Sequence, residues 1–248
     1  MSENAMTQIH IIQPHVNVVD PPDWECILRK LNRSARVCYL SEPKDQPDEK
    51  LVKNIRVSGH TSVLEHVAVT FDIITDRGVL AEFTRHRHAS YSVESTRYCN
   101  YQGGMTFIDM IEFVNDEDKT NHDVWEEACR VSAGYYDKLM KSGCKPQTAR
   151  SVLNNSLKCK MRVTMNLRSM MNFLDLRCDA AAHPHIKQIA IPMLMYMREK
   201  LPVVFEDIPY DESFFHDFMK GRTAFFQIEL SSCQFHGLFH FCLVIRIH

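Results

Sequence analysis

None of the nine cysteines stands at Cys-x-x-Cys spacing from another. A zinc-ribbon pattern is therefore missing, and an odd count cannot be consumed by internal disulfides. Free thiols fit a reducing compartment, so a cytoplasmic location is expected. Charge of one sign is not in excess either. The 29 Lys and Arg residues against 31 Asp and Glu leave a net charge of -2, which gives no global attraction to a nucleic acid polymer or an anionic membrane. Any anion must be gathered by basic side chains concentrated locally. No stretch reaches the roughly 20 apolar residues that span a bilayer. Residues 1–13 carry no basic region leading into an apolar run, so no secretory leader is expected. Internal repeats and low-complexity linkers are missing too.

What is present is the composition of an ordinary globular protein: 248 residues, 45% hydrophobic and 24% charged, enough for one sizeable core. Ile9 to Val19 is rich in β-branched residues and predicts a weak strand, and Val67–Ile74, Met105–Ile111 and Lys158–Leu167 predict three more. Helices are expected over Trp24–Tyr39, Glu49–Val57 after a polar lead-in at Asp45–Asp48, Gly78–Arg85, Asn121–Met140, Pro146–Leu153, Arg168–Arg177 and Pro184–Lys200. Ser142-Gly143 is a natural helix stop, and Pro146 and Pro184 suit first helical turns. His88–Tyr98 has no clear periodicity and reads as a loop. Strands and helices without a regular βαβ rhythm point to an α+β fold, one domain with a mixed or antiparallel sheet over residues 1–221. The aromatic, histidine-bearing tail at 222–248 has no evident partner element.

The densest chemical signal is Arg85-His86-Arg87-His88-Ala89-Ser90-Tyr91-Ser92-Val93-Glu94-Ser95-Thr96-Arg97-Tyr98. Three arginines, two histidines, three serines and a threonine fall in one run. Guanidinium groups grip phosphate through bidentate, charge-assisted hydrogen bonds, and hydroxyls add neutral donors. The plainer reading is a solvated surface loop, but such a loop favours Lys, Glu and Gly over alternating basic and hydroxyl residues. The histidines have a plain reading as well: His66 as a hydrogen-bonded structural residue, with His60 and His86 better placed to touch a ligand. The His183-Pro184-His185 pair lacks a neighbouring carboxylate cluster, so no metal site is expected. Met170 and Met171 suit gaps in a core.

Arg85-His86-Arg87 followed by seven residues and Ser95 resembles the signature of the flavin-dependent thymidylate synthases. Glu94-Ser95-Thr96-Arg97-Tyr98 continues the resemblance. So do Gly59-His60-Thr61-Ser62-Val63-Leu64-Glu65-His66 upstream, Pro146–Leu153 with Arg150, and Asn166-Leu167-Arg168 through Asn172 to Arg177. These four segments stand in the family's order across roughly residues 27–205. Departures exist: Glu82 stands where many members carry Gln, and Ser92 and Val93 replace more polar residues.

The resemblance implies reductive methylation of dUMP to dTMP, with methylenetetrahydrofolate as carbon donor, FAD as hydride carrier and NADPH as reductant. It implies a homotetramer with active sites at subunit interfaces. By position, Glu82, Arg85, Glu94, Ser95, Thr96, Arg97 and Arg150 match substrate contacts. Ser62, Arg85, His86, Arg87, Asn166, Arg168 and Asn172 match flavin contacts. Arg177 matches the arginine at the uracil ring, where it would stabilise developing negative charge. No Pro-Cys-His occurs here, in keeping with a route in which no enzyme nucleophile bonds to uracil. Arg168 and Asn172 are four apart and share a helix face. Arg177 is about half a turn out of phase with Arg168, so it is expected to address a second ligand. A related flavoenzyme acting on UMP, a nucleotide- or RNA-binding module that stacks bases, and a metal hydrolase using the His-x-His pairs remain as alternatives.

Overall fold

A computed structural model describes residues 7–42, 48–113 and 119–219. The tail at 222–248 and most of the lead-in at 45–48 lie outside these residues. Two strands, β1 (Ile9–Ile12) and β2 (His15–Val19), replace the single strand expected over 9–19. Pro14 between them has no N–H to donate to a ladder, which breaks the strand. Helix α1 (Trp24–Val37) begins at Asp23, whose carboxylate accepts from the Glu25 and Cys26 amides. Helix α2 (Glu49–Val57) begins at Asp48, which accepts from the Leu51 amide. Both caps satisfy N–H groups that a helix leaves unpaired. Gly59 follows α2 with φ +77°, a left-handed conformation that side chains resist. It turns the chain into a 3₁₀ turn over Thr61–His66, too short to leave a periodic signal.

Strand β3 (Ala68–Asp76) runs into helix α3 (Arg77–Phe83), which Asp76 caps by accepting from the Val79 amide at 2.7 Å. The loop expected over 88–98 contains a strand, β4 (Ala89–Val93). It lies at the end of the sheet order, and its residues are half-buried or exposed. The hydrophobic alternation that marks a half-buried strand is therefore missing. Then come β5 (Met105–Ile108), the long α4 (Thr120–Lys141), and α5 (Pro146–Ala149), which tightens into a 3₁₀ turn at Arg150–Val152. Strand β6 (Lys158–Asn166) leads into α6 (Leu167–Arg177), and α7 (Pro184–Lys200), α8 (Pro202–Phe205) and α9 (Glu212–Met219) follow.

The chain divides into two compact units, each assembled from three separate stretches. The first comprises Met1–Pro14, Ile74–Arg85 and Ser92–Met161, and the second His15–Ile73, His86–Tyr91 and Arg162–His248. Because neither unit is one contiguous segment, no linker marks a boundary in the sequence. In the first unit β1 and β5 pair in parallel, Ile9 opposite Met105 and Ile12 opposite Ile108. Phe107, Cys129, Ala133, Tyr136 and Leu157 form its core.

The larger sheet has the order β2-β3-β6-β4. Thr70 faces Thr164 at 2.9 Å, and Arg162 holds Asp72 through two hydrogen bonds. These cross-strand pairs run in opposite senses, the mark of an antiparallel pair. In the second unit α1 packs on α2 and on the 61–66 turn, α6 on that turn and on α7, and α7 on β2 and α8. Helix α7 is the most buried of these: Ile186 through Ile191 are all enclosed, Lys187 and Gln188 included. Among the described residues no helix is long and apolar enough to cross a membrane.

Candidate functional site

Two groups of candidate side chains stand out, one in each unit. In the first unit the residues after β4 fold back as a tight turn: the Ser95 hydroxyl accepts from the Arg97 amide at 3.2 Å, and the Ser95 carbonyl accepts from the Tyr98 and Cys99 amides. The 146–152 segment meets this turn. Arg150 donates to the Thr96 hydroxyl at 3.1 Å, and Arg97 donates to Gln147 at 3.2 Å. Arg97 also lies over the Tyr98 ring at 5.2 Å. Two exposed guanidinium groups thus join segments some fifty residues apart, Arg150 reaching the Thr96 hydroxyl and Arg97 reaching Gln147. Guanidinium and hydroxyl groups of this kind are able to hold a phosphate.

Glu94 fixes the start of this turn. Its carboxylate accepts from Tyr101 at 2.8 Å, from Lys158 at 2.6 Å and from the Lys160 amide at 3.1 Å. Burial alone would raise the carboxyl, but the bonds from Lys158 and Tyr101 outweigh it and hold the group below its ordinary range. Both oxygens are engaged within the protein, and the Glu94 carbonyl accepts from Arg77 at 2.9 Å. Glu82 is half-buried on α3, and Arg85, just beyond that helix, is exposed.

In the second unit a cavity of about 360 Å³ opens beside the 61–66 turn, within the range of ligand pockets. Ala35, Ile55 and Val63 give it an apolar wall, and His60, Thr61, Ser62, Tyr39 and Arg168 give it donors and acceptors. Arg168 is ion-paired with Glu65 at 2.6 Å, both exposed. Asn166 accepts from the Ser169 amide at 2.8 Å and so caps α6, while Asn172 is exposed on that helix. Tyr39 and Cys38 line the cavity although nothing at the end of α1 marks them in the sequence. Their signal is purely spatial.

At the other end of α6, Arg177 donates from Nε to His86 Nε2 at 3.0 Å. The His86 ring stands edge-on to buried Phe173, centroids 5.0 Å apart. Arg168 and Arg177, about half a turn out of phase on α6, have different partners, Glu65 and His86. Burial first, and then the neighbouring Arg177 charge, hold the imidazole below the usual histidine range. Arg87 and Ser62 are exposed.

Residues 28–203 match a family described as thymidylate synthase complementing protein. The flavin-dependent thymidylate synthase of Geobacter sulfurreducens is 34% identical over 183 residues, covering 70% of this chain and 78% of that protein. The chain belongs to this family. A flavin-dependent thymidylate synthase from Thermotoga neapolitana is also 34% identical, over 182 residues, with 70% and 82% covered. The Mycobacterium tuberculosis flavin-dependent thymidylate synthase is 31% identical over 232 residues, with 84% and 92% covered. Among solved structures, the UMP/dUMP methylase PolB from Streptomyces cacaoi, bound with 5-Br dUMP, superimposes with a TM-score of 0.68 at 24% identity. It covers 80% of this chain and 95% of its own, a likeness of fold. The family segment runs through residues of both compact units, and the fold is of the α+β class.

Proposed function

We propose that this chain methylates dUMP at C5 to give dTMP, taking the one-carbon unit from methylenetetrahydrofolate and its reducing equivalents from NADPH by way of FAD. The observation that carries this reading is the meeting of Arg150 with Thr96 beside Arg97 and Ser95. A nucleotide phosphate is held by such a set, and Glu82 and Arg85 would add contacts to the rest of the substrate. Glu94 serves by fixing the turn on which the hydroxyls sit. Loss of a hydrogen bond to a charged group is worth about 1.5–3 kcal/mol. Arg150→Ala is therefore expected to raise KM for dUMP about 10–100-fold, with a much smaller change in kcat, read by steady-state kinetics.

The cavity beside Ser62 fits part of a flavin cofactor: an apolar wall takes a ring, and hydroxyl, imidazole and guanidinium groups meet its polar edge. Ser62, Arg87, Asn166, Arg168 and Asn172, with Arg85, are the residues that would hold it, while the His86 imidazole accepts from Arg177. When bound, FAD supplies the hydride that reduces the transferred carbon to a methyl group. Arg177 is the residue that stabilises charge on the uracil ring. The deciding experiment is an absorbance scan of the purified protein with and without added FAD, then tritium release from dUMP labelled at C5. Colourless protein that takes up no flavin would sink the proposal, and release from UMP but not dUMP would move it to the ribonucleotide.

The reading extends to a homotetramer whose sites form between subunits. Val124, Val131 and Tyr135 are 63%, 49% and 54% exposed along one stripe of α4, and Gly134 beside them has open space where a Cβ would stand. A solvent-facing helix gains nothing from that glycine, which costs about 1 kcal/mol against alanine. Acidic Asp123, Glu126 and Glu127 lie in the first half of α4 and basic Lys138 and Lys141 in its last turn, so two antiparallel copies bring opposite charges together. Val131→Glu is expected to shift the protein to a smaller species in sedimentation velocity. The described cysteines form no disulfides, which supports a reducing, cytoplasmic setting.

A further inference from the structure

Arg177 and His86 lie 91 residues apart in sequence, yet the guanidinium Nε–H points at the imidazole Nε2 at 3.0 Å. Two further contacts hold the imidazole in place. Phe173, one turn before Arg177 on the same face of α6, meets its ring edge-to-face at 79°. Tyr91 donates to the His86 carbonyl at 2.8 Å, fixing the backbone from β4. The accepting nitrogen must carry a lone pair, which assigns the ring proton to Nδ1 and leaves the ring uncharged. A doubly protonated ring would turn an N–H toward an N–H and lose the bond.

An arginine has five N–H donors in a rigid plane, so holding one of them orients the rest. Charge stabilisation at a reacting ring depends on that orientation being set beforehand. We propose that His86 is a positioning residue for Arg177, its imidazole accepting from Nε so that the guanidinium plane is set before substrate arrives. This rests on the reading of Arg177 as the group facing uracil, and it differs from a role for His86 as a direct flavin ligand.

The test compares His86→Phe, which keeps the aromatic packing on Phe173 but has no acceptor, with His86→Gln, whose amide oxygen can accept from Nε. FAD affinity is measured by flavin fluorescence, dUMP affinity by calorimetry, and kcat and KM at saturating FAD. In H86F, kcat is expected to fall about 10–100-fold, as for loss of a hydrogen bond to a charged group, with FAD affinity and KM for dUMP little changed. H86Q is expected to recover most of that loss. In an Arg177→Ala background, H86F is expected to add no further loss, since the two act as one unit.

The inference is overturned if H86F turns over like wild type. It is overturned equally if H86F weakens FAD binding while kcat at saturating FAD stays normal, which makes His86 a flavin ligand. Additive losses in the double variant overturn it as well. A wild-type protein that binds FAD but is inert toward dUMP overturns the proposed function, and the inference falls with it. That outcome is distinguishable because it is seen before any variant is made.

Discussion

Arg177→Ala is expected to lower kcat for dUMP by about 10²–10³, the usual loss when a donor aimed at developing charge is removed. Flavin binding should persist. The side chain stands in the last turn of α6, where the helix dipole favours a cation. It is half-buried, so solvent cannot readily supply a substitute charge. An interaction that strengthens as the ring gains charge lowers kcat when removed, whereas uniform binding would change KM alone. Arg177→Lys should recover little of the loss, because an ammonium offers neither the planar fork nor the Nε–H that His86 accepts. Single-turnover kinetics with prebound dUMP would read the effect directly. A variant that matched wild type there would remove Arg177 from the chemistry.

The second large effect concerns stability. Lys187 is buried in α7 and donates to Asp211 at 2.8 Å and to the Ala180 carbonyl at 2.9 Å, with its ammonium over the Phe214 ring. Asp211 also accepts from the Ser213 hydroxyl and the Phe214 amide. Breaking a buried pair by neutralising one member typically costs 3–5 kcal/mol, because the remaining charge has no counter-ion. Asp211→Asn is expected near the lower end, about 3 kcal/mol, since the amide oxygen can still accept. That corresponds to a fall in Tm of about 6–12 °C for a chain this size.

Lys187, then the Phe214 amide and the Ser213 hydroxyl, hold the Asp211 carboxyl down at about 2 from its ordinary 3.8. A depressed carboxyl stabilises the folded state above its unfolded value and loses that contribution as pH falls through the folded one. The pair is therefore at full strength above about pH 4, and its contribution declines toward pH 2. The stability difference between wild type and Asp211→Asn should narrow over that window in denaturant titrations. An Asp211→Asn protein as stable as wild type at pH 7 would show that the Lys187 charge finds another partner.

Much of this was legible before any fold was known. The polar lead-in ends at Asp48, where α2 begins, and Pro146 and Pro184 open their helices. Strand β6 could be read because Cys159, Met161, Val163 and Met165 face inward between polar neighbours. The segment 61–66 had no such signal, because a single 3₁₀ turn shows no period. Strand β4 was hidden for another reason: at the edge of its sheet it buries too little to separate one face from the other.

Residue types, the prolines that open helices, hydrophobic periods and the arginine–hydroxyl run were the contribution of the sequence alone, together with the family to which they lead. All of these are local, and a local pattern survives in a linear string. The meeting of Arg150 with Thr96, the engagement of both Glu94 oxygens, the bond from Arg177 to His86 and the burial of Lys187 against Asp211 were decided by tertiary structure. Each joins groups from separate elements, and loop closure across tens of residues is driven by burial of the surrounding core rather than by the polar partners themselves. A guanidinium can be seen in a sequence; which nitrogen it points at, and what charge stands behind it, belongs to the packed fold.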